Sequence, residues 1–256
     1  MIRVLALLAL LSGCAAVAVP LSVTPQSVGP PGSGAPHVLV LPDGAGPHPA
    51  VVLLHGCSGV TGTLRRWSVT LARHGYAVLM TDSFRPRGET NVCHRRGVVP
   101  PELRAEDAFA AATYLRGRGD IRPGAVAAMG LSHGGSTALE AALRAATDRL
   151  AAPPFAAVIA FYPWCKLVPA PLASPLLILT GSDDDWTPSD RCERRQAAWQ
   201  PAFGESVLHV YPGATHAFDG LGAERRYLGH LLRHDAAATR DAEARLLAFL
   251  ARALPR

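Results

Sequence analysis

Short apolar runs recur along the chain at His37 to Leu41, Ala50 to His55, Tyr76 to Thr81, Ala125 to Leu131, Phe155 to Tyr162, Leu176 to Thr180 and Val207 to Tyr211. Many are nearly continuous rather than alternating, which predicts strands covered on both faces. Between them the apolar positions take a helical period, over Leu64 to His74, Pro101 to Arg116, Gly135 to Arg149, Ser189 to Trp199 and Ala237 to Leu254. Pro101 suits a first helical turn, where its missing N–H would have no partner, and Glu102 is favourable at the same positive end. Strand alternating with helix predicts an α/β architecture, a mostly parallel, doubly wound sheet with helices on both faces. The pattern contains no internal repeat and no second domain, and 256 residues at 49% hydrophobic content suffice for one large core.

The N-terminus departs from this pattern. Met1-Ile-Arg3 precedes an apolar run from Val4 to Leu11, far short of the about 20 residues that cross a bilayer as a helix. Residues 1–18 therefore read as a secretory leader, with two processing routes open. Leu11-Ser-Gly-Cys14 resembles a lipobox, in which Cys14 is lipidated and tethers the protein to a membrane; Ala16-Val-Ala18 offers cleavage after Ala18 and a soluble product. Either route exports the chain from a bacterial cell, to the envelope facing the periplasm or exterior or as a soluble periplasmic or secreted protein. Residues 19–36, rich in Pro, Gly and Ser, read as a tether without a packed core, leaving 37–256 as a single domain.

With Cys14 lost to the anchor or the leader, Cys57, Cys93, Cys165 and Cys192 remain. An even number in an oxidising compartment suggests disulfides, and the chain path favours Cys57 with Cys93 and Cys165 with Cys192, each pair joining neighbouring loops at one end of the sheet. The formal charge of +5 comes from arginines in scattered pairs, such as Arg65-Arg66 and Arg225-Arg226, not in one stripe. That distribution is a solvated basic surface, so no nucleic-acid partner is expected.

Ligands of open α/β sheets bind beyond the carboxyl ends of the strands. The loops there carry His55-Gly-Cys-Ser-Gly59, Asp82-Ser-Phe-Arg-Pro-Arg-Gly88, Gly130-Leu-Ser-His-Gly-Gly135, Gly181-Ser-Asp-Asp-Asp-Trp-Thr-Pro188 and Pro212-Gly-Ala-Thr-His-Ala-Phe218. Ser132, set among glycines between a strand and a helix, fits a nucleophile elbow. A serine hydroxyl is a weak nucleophile and needs a base oriented by a carboxylate. His216 follows the last apolar run and is the candidate base, whereas His74 ends a helix and His230 and His234 lie in a polar, helix-like segment. For the acid, Asp183, Asp184 and Asp185 compete; Asp184 has the favoured place on the turn, with Asp185 the alternative. The backbone N–H groups of Cys57 and His133 are the candidate oxyanion donors. No His/Asp/Glu cluster has a recognised metal-ligand spacing, so no metal is expected.

Within and beside these loops, His55-Gly-Cys-Ser-Gly59, Asp82-Ser-Phe84, Gly130-Leu-Ser-His-Gly-Gly135, Asp184-Asp-Trp-Thr-Pro188 and Tyr211-Pro-Gly-Ala-Thr-His-Ala-Phe218 together resemble the dienelactone hydrolase family of α/β-hydrolases, over nearly all of the chain after the tether. The resemblance implies an α/β-hydrolase fold of about eight strands, hydrolysis of an ester or lactone without a cofactor, and Ser132, Asp184 and His216 as nucleophile, acid and base. Dienelactone-cleaving members carry cysteine at the elbow and glutamate in the first loop. Ser132 and Gly56 stand there in this chain, which points to general esterase chemistry on a small-molecule ester. Those members also bind a substrate carboxylate through arginines, one of them four residues after the catalytic histidine, where this chain has Gly220. Arg85, Arg87 and Trp186 remain as candidate substrate-binding residues. A peptidase, a thioesterase, or an envelope binding protein that kept the fold and lost turnover are the alternatives.

Overall fold

The computed structural model describes residues 23–27, 36–167 and 169–254. The leader, with Cys14 and the alternative cleavage after Ala18, lies outside the described residues. The strands are β1 (Val23–Ser27), β2 (Pro36–Val40), β3 (His48–Leu54), β4 (Ala77–Thr81), β5 (Ile121–Leu131), β6 (Val158–Phe161), β7 (Leu176–Gly181) and β8 (Ser206–Tyr211). They form one sheet in the order β1-β2-β4-β3-β5-β6-β7-β8. The β1–β2 and β2–β4 pairs are antiparallel and every other pairing is parallel. Each apolar run falls on a strand, and β3, β4, β6 and β7 are buried almost throughout, as strands covered on both faces must be.

The two coverings are α2 (Pro101–Arg116) and α3 (His133–Ala142) on one face and α1 (Gly62–Arg73) and α6 (Ala236–Ala253) on the other. Alternation along β3 shows the division. Val52 and Leu54 join a core with Ala108, Phe109 and Ala138, while Val51 and Leu53 join a second with Trp67, Leu71 and Phe249. Asp235 caps α6 by accepting from the N–H groups of Ala237 and Ala238, and Thr61 caps α1 from the N–H of Leu64.

Three segments differ from the sequence reading. Val23–Ser27, expected inside the 19–36 tether, adds β1 to the edge of the sheet opposite β2; Pro25 is tolerated there because an edge strand has one side with no ladder to complete. The helix expected over Gly135 to Arg149 is broken at Leu143, whose extended backbone bridges to Leu172, and resumes as α4 (Arg144–Leu150). The segment around His230, expected to be helix-like, is a hairpin of β9 (Arg225–Tyr227) and β10 (His230–Leu232). Its turn places Leu228 and Gly229 both at positive φ, the requirement of a tight two-residue hairpin turn. A helical reading of its polar residues missed a turn marked only by Gly229. Among the described residues no helix is long and apolar enough to cross a membrane.

Both expected disulfides form, with Cα separations of 4.8 Å for Cys57–Cys93 and 5.1 Å for Cys165–Cys192. The second ties the loop after β6 to α5 (Ser189–Ala197) across 27 residues of chain. Closing a loop of this size restricts the unfolded chain by about 3 kcal/mol. A Cys165→Ala/Cys192→Ala protein is expected to lose about 2–4 kcal/mol of unfolding free energy in urea titration; an unchanged midpoint and slope would contradict this.

Candidate active site

The end of β5 is forced into close backbone contact with its surroundings. A Cβ on Gly130 would lie 1.9 Å from the Gly134 carbonyl oxygen, and one on Gly134 would lie 2.3 Å from that of Leu54. Only glycine permits the strand, the start of α3 and the end of β3 to approach this closely. Between them Ser132 is held at φ 53° and ψ −115°, a strained conformation for a residue with a side chain. Strain of this kind lifts the hydroxyl out of the strand-to-helix turn.

Ser132 Oγ lies 2.9 Å from His216 Nε2, and His216 Nδ1 lies 2.8 Å from Asp184 Oδ2. The carboxylate can only accept, so Nδ1 carries the imidazole proton and Nε2 accepts from the Ser132 hydroxyl. The other oxygen of Asp184 accepts from the backbone N–H groups of Trp186 and Thr187 at 2.9 and 2.8 Å. Thr187 Oγ1 lies 2.8 Å from Asp184 Oδ2 and 3.0 Å from the Tyr162 carbonyl oxygen. Asp184 and His216 are both buried. Of its competitors, Asp185 faces His230 at 3.2 Å and Asp183 accepts from the Ser182 hydroxyl at 2.8 Å. Neither meets His216.

A second, fully buried carboxylate sits behind this chain. Asp219 accepts from Trp67 Nε1 at 2.5 Å and from the Tyr162 hydroxyl at 2.7 Å. Burial, reinforced by Asp219, holds the Tyr162 phenol well above its usual range, so it remains a donor. The Tyr162 ring packs edge-on against His216, with centroids 4.8 Å apart, and Trp186 covers another side at 5.0 Å. The imidazole is thus confined by an aromatic pair as well as by its hydrogen bonds.

The loop after β3 reaches the same point. A Cβ on Gly56 would lie 3.6 Å from Ser132 Cβ. Cys57 is clamped by its disulfide to Cys93 and by the Val92 N–H, which donates to its carbonyl at 2.9 Å. Among the described residues neither the Cys57 nor the His133 backbone N–H has an acceptor. Arg104, on α2 and fully buried, joins the two elements that carry these donors: it donates to the His55 carbonyl and to His133 Nδ1, both at 2.7 Å, and lies over the Phe84 ring. Burial lowers its guanidinium to about 9, still cationic near neutral pH. His133 therefore accepts at Nδ1 and carries its proton on Nε2. His55 accepts from the Ser83 N–H at 3.2 Å and donates Nδ1–H to the Gly56 carbonyl at 2.7 Å.

Two cavities meet at Ser132, Cys57 and Trp186. The first, about 310 Å³, also borders His216 and is walled by Leu221, Tyr227 and Leu232 with Arg225, Arg233 and His234. The second, about 380 Å³, borders His133 and is walled by Pro100, Pro101 and Trp164 with Arg96, Lys166 and Glu140. Trp186 borders both cavities. Arg85 and Arg87 line neither cavity: Arg85 extends into solvent beside Asp82, and Arg87 is held by Asp107 at 2.8 and 2.9 Å. The hairpin missed in the sequence supplies Arg225 instead, and a bridge from Leu232 to His216 anchors that hairpin to the site. Arg104, Tyr162, Thr187 and Asp219 were also missed; Tyr162 and Asp219, just beyond β6 and just beyond His216, were marked only by those positions. Among the described residues no group of three or more His, Cys, Asp or Glu is placed to hold a metal ion.

The chain belongs to the dienelactone hydrolase family, whose model matches residues 36–254. A thiohydrolase of Aspergillus aculeatus, aneE, is 37% identical over 95 residues, covering 37% of this chain and 29% of its own length. An uncharacterized protein of Mycobacterium tuberculosis is 29% identical over 207 residues, covering 72% of this chain and 70% of its own. Among solved structures, a dienelactone hydrolase-like promiscuous phosphotriesterase from metagenomic libraries aligns with a TM-score of 0.73 at 19% identity, covering 91% of this chain and 98% of its own. A dienelactone hydrolase from Anabaena variabilis aligns with a TM-score of 0.66 at 19% identity, covering 91% and 99%. The fold is that of the α/β-hydrolases, and the family is one of hydrolases.

Stability should report the buried imidazoles. Desolvation, aided by Arg104, lowers His133 to about 4, and desolvation places His55 well below its usual value. The unfolded chain takes up both protons near 6.5 while the folded chain does not, so stability falls as pH drops from about 6.5 toward 4. For His133 alone the loss reaches about 3 kcal/mol. Urea unfolding across this window should show the slope, reduced in His133→Gln; a flat profile in the parent protein would contradict it.

Proposed function

We propose that this protein is an exported serine hydrolase that cleaves a carboxylic ester through an acyl-enzyme. The observation that carries the reading is the hydrogen-bonded chain Ser132–His216–Asp184, at 2.9 and 2.8 Å, mounted on a strained turn between two cavities. Ser132 Oγ attacks the ester carbonyl carbon as its proton passes to His216 Nε2, and Asp184 orients and stabilises the imidazolium. The N–H groups of Cys57 and His133 receive the developing oxyanion. His216 then protonates the departing alkoxide, and water, deprotonated by the same nitrogen, releases the acid and restores Ser132. Export is supported by the leader-like residues 1–18 and by two disulfides, which persist in oxidising compartments. Cys14 is the proposed lipidation site, and cleavage after Ala18 is the alternative that yields a soluble protein.

The serine at the elbow favours esters over the dienelactones that name the family. The similarity to a thiohydrolase makes thioesters the second substrate class to examine. Arg225 and Arg233, not Arg85 and Arg87, are the proposed cationic contacts to substrate.

Aryl-ester turnover is expected to fall by about 10⁴-fold or more in Ser132→Ala and His216→Gln, with the fold retained. Asp184→Asn should cost about 10²–10⁴-fold, whereas Asp185→Asn should stay within about threefold of the parent. Parental rates in Ser132→Ala would refute the assignment. No turnover of any ester or thioester by the parent would favour a binding protein.

A further inference from the structure

We propose that the two cavities divide the substrate, with the leaving alcohol in the cavity of Leu221 and Arg225 and an uncharged, apolar acyl group longer than acetyl in the cavity of Trp164 and Gly97. The inference rests on the hydrolase reading above and goes beyond it by fixing which part of the ester lies where. His216 must hand its proton to the oxygen that leaves, so that oxygen lies on the side of Ser132 faced by the imidazole. His216 borders the first cavity and not the second; His133 borders the second and not the first. An ester carbonyl over Ser132 with its oxygen toward the Cys57 and His133 N–H groups therefore sends its alcohol into one and its acyl chain into the other.

The chemistry of the walls agrees. The second cavity is mostly apolar, built from Pro100, Pro101, Trp164 and Trp186 beside Cys57. The Trp164 backbone is fixed by its N–H donating to Ser136 Oγ at 2.9 Å, and its indole lies 4.0 Å under the Arg191 guanidinium. Four charged side chains reach this cavity, and they balance: Arg96 and Lys166 against Glu102 and Glu140. Lys166 lies 3.0 Å from Glu102 and 2.6 Å from Glu140, so it is already paired and has no unmatched charge to offer a carboxylate. The first cavity carries Arg225 and Arg233, neither with a carboxylate within 4.0 Å among the described residues, and its lining contains no Asp or Glu. Arg96 is the one cation of the second cavity without a carboxylate within 4.0 Å among the described residues, and it is exposed to solvent, so a carboxylate-ended acyl tail would gain there only a hydrated partner beside two glutamates. An apolar one replaces water against proline and indole surfaces.

Each cavity has a glycine at which bulk can be added. A Cβ on Gly97 would meet nothing within 4 Å, and one on Gly62 would meet only Leu221 Cδ1 at 3.8 Å. Gly97→Leu narrows the proposed acyl cavity and Gly62→Leu the proposed alcohol cavity. Two series separate them on the full, disulfide-intact protein: p-nitrophenyl esters from acetate to decanoate, and acetate esters of alcohols of increasing size, followed by acid release. Gly97→Leu should lower kcat/KM for the longer acyl chains by about tenfold relative to acetate and leave the ranking across the alcohols within about twofold. Gly62→Leu should do the reverse. The parent should cleave a neutral acyl chain faster than one of equal length ending in a carboxylate. If the two variants exchange effects, if neither changes chain-length preference, or if the carboxylate-ended chain is preferred, the division is wrong although the hydrolase reading stands. If the parent cleaves neither series and a fluorophosphonate does not label Ser132, the hydrolase reading itself fails and this proposal with it.

Discussion

The site depends on one steric constraint, the contact of backbone with backbone at the carboxyl end of β5. Because Gly130 and Gly134 have no side chains, the end of β3, the turn at Ser132 and the first residue of α3 can share a space that any Cβ would occupy. Three consequences follow from that single contact. Ser132 is held at a backbone conformation that exposes its hydroxyl, the Gly56–Cys57 loop comes against it, and the unpartnered N–H of His133 lies at the same point. An alanine at either glycine would have to push the start of α3 away from the sheet, from β5 at Gly130 and from the end of β3 at Gly134, so the chemistry and the packing of α3 on the sheet share one foundation.

Around that point the protein separates its buried charges. Asp184 and Asp219 are both buried carboxylates, but each is saturated with its own donors, so they orient neighbouring rings without competing for one proton. On the other side of Ser132 the only buried cation near the Gly56–Cys57 loop and the start of α3, among the described residues, is Arg104, and both imidazoles beside it are kept neutral by desolvation and by its charge. Among the described residues Arg104 has no carboxylate within 4.0 Å; carbonyl, imidazole and phenyl ring stand in for one. A guanidinium held this way, its two terminal nitrogens bonded and its Nε without a partner, fixes the spacing between the first loop and α3, because moving either would strand a buried charge.

Much of this was legible in the sequence, for identifiable reasons. Nearly continuous apolar runs marked the interior strands because each is covered on both faces, and Pro101 marked the start of α2 to the residue. Ser132, Asp184 and His216 could be found because each follows a strand, where topology brings residues far apart in sequence together. What escaped was set by tertiary contacts alone. Leu143 breaks a helical pattern only because Leu172 lies beside it. Arg104 looks like any helical arginine until α2 is packed beneath the elbow. The Arg225 hairpin has three-residue strands of mixed polarity, too short for periodicity to register, and with it went the cations that border the first cavity. Arg85 and Arg87 occupied a loop at the right end of the sheet, yet Arg85 extends into solvent and Asp107 holds Arg87.

The central claim is that Ser132 becomes covalently acylated during turnover. The most direct measurement is rapid acid quench of the protein during hydrolysis of an aryl ester, followed by intact-mass and peptide analysis. The account predicts a species heavier by one acyl group, mapped to the peptide containing Ser132 and absent from Ser132→Ala. Turnover at the parental rate with no adduct on Ser132, under conditions where deacylation limits the rate, would contradict it.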